Sequence, residues 1–329
     1  MKIVVADDYN DAYGRSATFA TLRDRAEVAI YTTPHQSLDE LVERMRGAEI
    51  IVANRERLPL KADLFDRLPD LKFVAQTGRR GVHMDLDAAT QRGILFAGTG
   101  GSSRSDAANP TAELTVAIML AAARQIPRVA TDLKAGKWNQ TLGRELGGKL
   151  LGVIGLGRIG GHVARICQAI GMRVCAWGPT LTPERAAAAG VELTTLEDLL
   201  GRADVVTVHL QLSERSRGLL SREKLALMKP SALFVNTARA AITDEAALVD
   251  MLRAGRLWGA ALDVFSVEPL PADHPLLSLD NVVLTPHEGY VSEGGFEQFA
   301  QDVTANINAY LDGREVPNML NPEALSRRR

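Results

Sequence analysis

Two cysteines, Cys167 and Cys175, are all that the 329 residues contain. That is too few for a disulfide framework, and each falls inside a predicted helix or strand. They are expected as packed small hydrophobes, and no metal site is expected. No apolar run approaches the ~18 residues of a membrane span, so no membrane partner is expected. A net charge of -2 with a pI near 6.3 provides no field that would draw the chain to nucleic acid or anionic lipid. A signal-peptide cleavage pattern is also missing. MKIVVADD runs directly into a strand, and the expected compartment is the cytoplasm. The closing Arg327, Arg328 and Arg329 read as a frayed end rather than a basic tail.

What is abundant is apolar and helix- or strand-periodic. A hydrophobic fraction of 46% over this length can bury a large core, and a prior of ~150 residues per domain suggests two domains. The most informative stretch is KLLGVIGLGRIGGHVARICQAIGMRVCAWGP, Lys149 to Pro179. Leu150, Leu151, Val153 and Ile154 read as a buried strand. Gly155, Gly157 and Gly160 punctuate a turn, and Ile159, Val163, Ile166 and Ile170 follow at helical spacing. In a dinucleotide-binding turn Gly155 permits the tight bend, Gly157 lets backbone approach a pyrophosphate, and Gly160 lets helix pack against strand. The amides that open the helix then face the phosphate charge. A second strand, Arg173 to Trp177, completes the unit.

Upstream, short β-branched runs alternate with amphipathic segments: Ile3 to Val5, Val28 to Tyr31, Ile50 to Val52, Phe73 to Ala75 and Ile94 to Phe96. That alternation argues for βα units around a parallel sheet. The first strand exits at Asp7 and Asp8 with no glycine fingerprint, so this half is not expected to hold the dinucleotide. Its notable loop is QTGRRG, Gln76 to Gly81, where exposed amides at Gly78 and Arg79 would suit a small carboxylate. A solvated turn is an equal reading of that loop. The texture changes at GTGGSSRSDAAN, Gly98 to Asn109, where a domain boundary is placed. Asn109 and Pro110 then cap a helix expected to run to near Pro127. Whether Lys134 to Arg144, with Trp138, forms an arm toward a partner subunit is left open by the sequence.

Further apolar runs, Val205 to Val208, Ala232 to Val235, Gly259 to Leu262 and Val282 to Leu284, make a doubly wound sheet. Each is followed by polar groups: His209, then Thr237 to Arg239, then Asp263, then His287. Ligands of open parallel sheets lie beyond the carboxyl ends of the strands. Arg239, Glu268 and His287, from separate exits, suit a carbonyl-to-alcohol reaction on an acid. A guanidinium grips the carboxylate and carbonyl oxygen in a fork, an imidazolium gives a proton to the developing alkoxide, and Glu268 orients that imidazole. Taken singly, each has a duller reading as a cap donor, a turn carboxylate or a buried histidine; their shared edge favours chemistry. A last helical pattern, Phe296, Phe299, Val303, Ile307 and Tyr310, would carry the chain back to the first domain.

GLGRIG at Gly155 to Gly160, VNTARA at Val235 to Ala240, ALDVFSVEPLP at Ala261 to Pro271 and TPHEGY at Thr285 to Tyr290 together resemble the D-isomer-specific 2-hydroxyacid dehydrogenases. The resemblance extends over nearly the whole chain and is weakest before about Phe73. It implies an α/β fold of two doubly wound parallel-sheet domains, a Rossmann nucleotide-binding domain (101–287) inserted into a flavodoxin-like substrate domain (1–100 and 288–329). By motif position it implies Arg239 as substrate-binding catalytic arginine, His287 as proton donor or acceptor and Glu268 as its partner. It places Arg158 and Ile159 under the pyrophosphate, gives Thr237, Ala238 and Asp263 to the cofactor, and assigns the substrate carboxylate to Gly78 and Arg79. The implied protein is a homodimeric NAD(P)-dependent oxidoreductase acting on a small 2-oxo or 2-hydroxy acid, of glyoxylate, hydroxypyruvate or phosphoglycerate type, with the substrate in a cleft between the domains. A dinucleotide-sensing regulator of the corepressor type is the alternative of another class.

Two residues depart from the family pattern. Where members that use NAD end the second strand with an acid for the ribose hydroxyls, this chain has Gly178, which leaves the choice between NAD and NADP open, with NAD slightly favoured by the family resemblance. Thr180, Thr182 or Arg185 could receive a 2′-phosphate, but no arginine directly follows the strand, and Glu184 would oppose one. The other departure is Glu288, an acid directly after His287.

Overall fold

A computed structural model describes residues 1–81, 83–100 and 109–327. Residues 101–108 of the expected boundary stretch, and Arg328 and Arg329 of the basic end, lie outside the described residues. The chain divides into two compact units, Met1–Ala108 with Val291–Arg329, and Asn109–Tyr290.

The first unit is built on β1 (Lys2–Val5), β2 (Glu27–Ile30), β3 (Ile50–Asn54), β4 (Phe73–Thr77) and β5 (Leu95–Ala97). All pairs are parallel, in the order β2-β1-β3-β4-β5, the arrangement of flavodoxin-like sheets. β3 and β4 are buried along their whole length, which is why they read as continuous apolar runs rather than alternating ones. The C-terminal segment returns to this sheet. Its helix, Glu293–Leu311, starts from Ser292, whose hydroxyl accepts from the Gly295 amide at 3.1 Å. It buries Phe296, Phe299, Val303 and Ile307, and Tyr310 stacks on Phe73 at 4.7 Å. Asn321 then accepts from the Phe96 amide (2.7 Å) and donates to the Ile94 carbonyl (3.0 Å).

The second unit holds β6 (Leu150–Ile154), β7 (Arg173–Trp177), β8 (Glu192–Leu193), β9 (Val205–Val208), β10 (Leu233–Asn236), β11 (Gly259–Leu262) and β12 (Val282–Leu284). Its order is β12-β11-β10-β9-β6-β7-β8, again entirely parallel. The winding reverses between β6 and β9, and that switch point is where a doubly wound sheet opens a ligand crevice. The helix Arg158–Ala169 after the glycine turn buries Gly160, Val163, Ala164 and Cys167 against the sheet. Burial pushes the thiol of Cys167 up to about 12 and that of Cys175 up to about 11, so both are inert packing groups.

The helix that opens this unit, Pro110–Ala123, is capped by Asn109, whose side chain accepts from the Ala112 amide at 3.2 Å. It ends before the expected Pro127. Gln125 turns left-handed (φ 52°), and Pro127 instead sits in the first turn of a new helix, Ile126–Lys134, where its missing N–H costs nothing. Beyond it, residues 137–146 form neither helix nor strand, and Trp138 and Leu142 are 84% and 96% exposed. Among the described residues, no helix is long and apolar enough to cross a membrane.

Candidate active site

The glycine turn begins where β6 stops. Gly155 has φ +100°, and a Cβ there would lie 2.9 Å from the carbonyl carbon of His209. Its amide is fixed by the Trp177 carbonyl at 2.7 Å. A Cβ on Gly160 would collide with the Gly155 carbonyl oxygen, so helix and strand meet at this separation only with glycine. Gly157 is different: a Cβ there would meet nothing within 4 Å. It is the N-cap of the helix Arg158–Ala169 and brings no side chain to cap it. A dinucleotide fits this turn, since open space faces helix-opening amides that have no side-chain acceptor of their own. Arg158 is exposed and Ile159 half-buried beside it.

Three further strand exits lie in a row on the other side of the switch point, at β10, β11 and β12. After β10, Asn236 shapes the turn: its side chain accepts from the Ala238 amide (2.9 Å) and donates to the Arg239 carbonyl (3.2 Å). Arg239 is half-buried there, with Nη1 donating to the Ala238 carbonyl at 2.7 Å. Thr237 is buried, its hydroxyl 2.7 Å from that of Thr115 on the helix Pro110–Ala123.

After β11, Asp263 is buried with its carboxylate fully engaged. Oδ1 accepts from the Thr285 hydroxyl (2.6 Å) and the Glu288 amide (2.9 Å), and Oδ2 from the Gly289 amide (2.9 Å). Resemblance gave Asp263 to the cofactor; the bonds it makes here bracket the turn that carries His287. Burial raises its carboxyl above the usual value. His287 itself has φ +53°, a left-handed conformation that is uncommon outside glycine and that neighbours must hold in place. Its Nδ1 lies 2.6 Å from Glu268 Oε2, while Glu268 Oε1 accepts from the Phe265 amide at 2.9 Å. Glu245 secures the same loop by accepting from the Ser266 amide at 3.0 Å. With Nδ1 facing a carboxylate, the ring nitrogen that remains for chemistry is Nε2. Glu288 is half-buried, and burial together with the negative charge of Asp263 raises its carboxyl.

His209, at the exit of β9, is no rival for proton transfer. Its imidazole is enclosed although part of the residue reaches solvent, its Nε2 lies 2.9 Å from the Thr207 hydroxyl, and desolvation pushes it down to about 3.

In the first unit, β4 runs through Gln76 and Thr77, so the loop begins at Gly78. Gly78 does not offer the exposed amide expected of it: the residue is buried, and its N–H donates to Thr99 Oγ1 at 2.8 Å. Arg79 is exposed. The Gly78 amide, by contrast, is already spent on Thr99. Sequence reasoning missed Arg55, which leaves β3 with φ +53° and whose guanidinium lies against Gly78, where a Cβ would strike it. Missed as well were Thr115, Thr285 and Glu245, whose partners are distant in sequence.

A reversed-winding parallel sheet with a glycine turn at its switch point, and an acid–imidazole pair beyond the exits of β11 and β12 on the same edge, defines a nucleotide-binding α/β domain of the dehydrogenase class. Residues 116–289 match the family described as D-isomer specific 2-hydroxyacid dehydrogenase, NAD binding domain. The chain is 37% identical over 324 residues to D-3-phosphoglycerate dehydrogenase of Methanocaldococcus jannaschii, covering 98% of this chain and 59% of that protein. It is 35% identical over 291 residues to glyoxylate reductase of Korarchaeum cryptofilum, covering 87% and 86% of the two chains. A crystal structure from Ralstonia solanacearum, provisionally assigned as a D-3-phosphoglycerate dehydrogenase oxidoreductase, is 38% identical with a TM-score of 0.92 and 98% coverage of both chains. The protein belongs to the D-isomer-specific 2-hydroxyacid dehydrogenase family, and its cofactor is a nicotinamide dinucleotide. It spans somewhat under three fifths of the length of the phosphoglycerate dehydrogenases it matches (59% and 57%).

Proposed function

We propose that the protein interconverts a small 2-oxo acid and its D-2-hydroxy acid with a nicotinamide dinucleotide, and that Arg239, Glu268 and His287 carry the reaction. The observation behind this reading is the 2.6 Å contact between His287 Nδ1 and Glu268 Oε2, made at a strand exit two strands from Arg239. Glu268 fixes the imidazole so that Nε2 is the atom that gives or takes the proton of the substrate oxygen. Arg239 holds the carboxylate and the carbonyl oxygen, draws electron density from C2 and keeps the acid in one orientation. The glycine turn would hold the pyrophosphate, with Arg158 and Ile159 beneath it, and Thr237 and Ala238 would line the nicotinamide half. When bound, the reduced nicotinamide supplies the hydride that C2 accepts. In the oxidative direction His287 takes the hydroxyl proton, and Glu268 stabilises the imidazolium that results.

We further propose a cytoplasmic homodimer. Ile126, Leu133, Trp138 and Leu142 all lie between residues 126 and 142 and are exposed large hydrophobics, apolar surface that supports burial against a second copy. The test of function is a spectrophotometric panel of glyoxylate, hydroxypyruvate, its 3-phospho derivative and bulkier 2-oxo acids with NADH and NADPH. Cofactor-dependent reduction of at least one acid is expected. Dinucleotide binding without turnover of any acid would favour the sensing regulator instead.

A further inference from the structure

The exit of β7 has no side chain to select between the two dinucleotides. Gly178 stands there, and a Cβ on it would point toward the glycine turn, 3.8 Å from Gly155 Cα and 4.0 Å from the Leu156 amide nitrogen. Its nearest neighbour would be Leu181 Cβ at 3.6 Å, an ordinary contact, so a side chain could start there, and no acid does. What reaches this place is a cation from further along the chain. Arg185 Nη1 donates to the Thr180 carbonyl at 2.9 Å, and Nη2 donates to the Leu156 carbonyl at 3.2 Å. The guanidinium thus bridges the segment after β7 and the glycine turn itself. Of its five N–H groups these bonds use two, and the residue is exposed. The neighbouring polar groups are committed to the helix Pro183–Ala188. Thr182 Oγ1 accepts from the Arg185 amide at 3.3 Å, and Glu184 is held below the usual carboxylate range by its own amide and the Thr182 hydroxyl.

We infer that Arg185 is the residue that selects the cofactor, and that the protein takes the 2′-phosphorylated dinucleotide in preference to the unphosphorylated one. This rests on the dinucleotide-dependent function proposed above. A ribose 2′-hydroxyl at the end of β7 finds no acid to accept its hydrogen bond. A 2′-phosphate finds no repelling carboxylate at position 178 and meets a guanidinium already held in place by two backbone carbonyls. Charge-assisted hydrogen bonds of this kind are the strong ones, and guanidinium and phosphate match in geometry. Glu184, the adjacent anion, limits the preference without reversing it, because its carboxylate is turned onto the start of its own helix.

Calorimetric titration of the full chain with NADPH, NADH, adenosine 2′,5′-bisphosphate and AMP tests the inference without relying on turnover. NADPH is expected to bind roughly tenfold or more tightly than NADH, as one retained charged hydrogen bond would require, and the bisphosphate likewise more tightly than AMP. Arg185→Gln should bring the NADPH/NADH ratio of Kd values close to one while leaving Kd for NADH within a few-fold. Arg185→Lys should recover only part of the preference, since an ammonium lacks the planar fork that matches a phosphate. Equal affinities in the native protein, or tighter NADH, would overturn the inference while leaving the proposed function standing. A parallel loss of both affinities in Arg185→Gln would also overturn it, by showing that the side chain only supports the turn. Failure of both dinucleotides to bind would remove the proposed function and this inference with it.

Discussion

At the scale of single residues, the candidate site is a set of side chains held by others. His287 occupies a left-handed conformation, and the group that holds the turn on both sides of it is Asp263, through Thr285, Glu288 and Gly289. Replacing Asp263 with Asn removes one acceptor and places an amide donor against an amide or hydroxyl donor. Asp263→Asn is therefore expected to lower kcat by about 10- to 100-fold, the cost of one or two charged hydrogen bonds, with Kd for the preferred dinucleotide nearly unchanged. A variant that binds cofactor poorly but turns over normally at saturation would instead assign Asp263 to the nicotinamide. Arg239, Glu268 and His287 were legible because each follows an apolar run inside a recognisable motif. The bracket around His287 was not, because it depends on a carboxylate reaching donors 22 to 26 residues away. The spent amide of Gly78 was equally hidden, since its acceptor Thr99 lies 21 residues on.

At the scale of elements, the twin sheets follow from burial on both faces, which writes uninterrupted apolar runs into the sequence. Such runs located β1 to β7 and β9 to β12 within a residue or two. The exception, β8, consists of Glu192 and Leu193, both exposed, so no pattern of burial marks it. The end of the helix Pro110–Ala123 was misplaced because a proline reads equally as a stop or as a first turn, and only the left-handed Gln125 decides between them. In the first unit, β1 and β3 are joined beyond their ends by Asp7, whose carboxylate accepts from the Asn54 amide and side chain, each at 3.0 Å. Burial pushes Asp7 up to about 7, against the pull of Arg57 and the Asn54 bonds. A carboxyl raised on folding contributes stability that is fully present below its unfolded value of about 4 and is lost as pH rises through 7. Relative to Asp7→Asn, the native protein should lose stability with a slope of at most about 1.4 kcal/mol per pH unit between pH 4 and 7. Denaturant unfolding of both proteins at several pH values measures that slope. A gap between them that does not vary with pH would mean that Asp7 is ionised in the fold throughout.

At the scale of the whole molecule, two units share one construction, a parallel sheet with its polar groups at the carboxyl edge, and differ in what their first strand leads to. β1 exits into Asp7 and Asp8, whose acceptors are filled by Asn54 and by the amides of Ala12 and Tyr13. β6 exits through the closely packed Gly155 to Gly157, where a Cβ would meet nothing within 4 Å and the helix-opening amides have no side-chain cap. That difference is visible in the residues and assigns the dinucleotide to the second unit. Two histidines follow strand exits of the same sheet: desolvation pushes His209 down to about 3, and His287, paired with Glu268, is the one proposed above for proton transfer. The most direct test compares native protein and His287→Asn, with the acid that reacts best and the preferred dinucleotide at saturation. Proton transfer through His287 predicts a kcat lower by about 10²- to 10⁴-fold with Kd for the dinucleotide unchanged; turnover within a few-fold of native would contradict it.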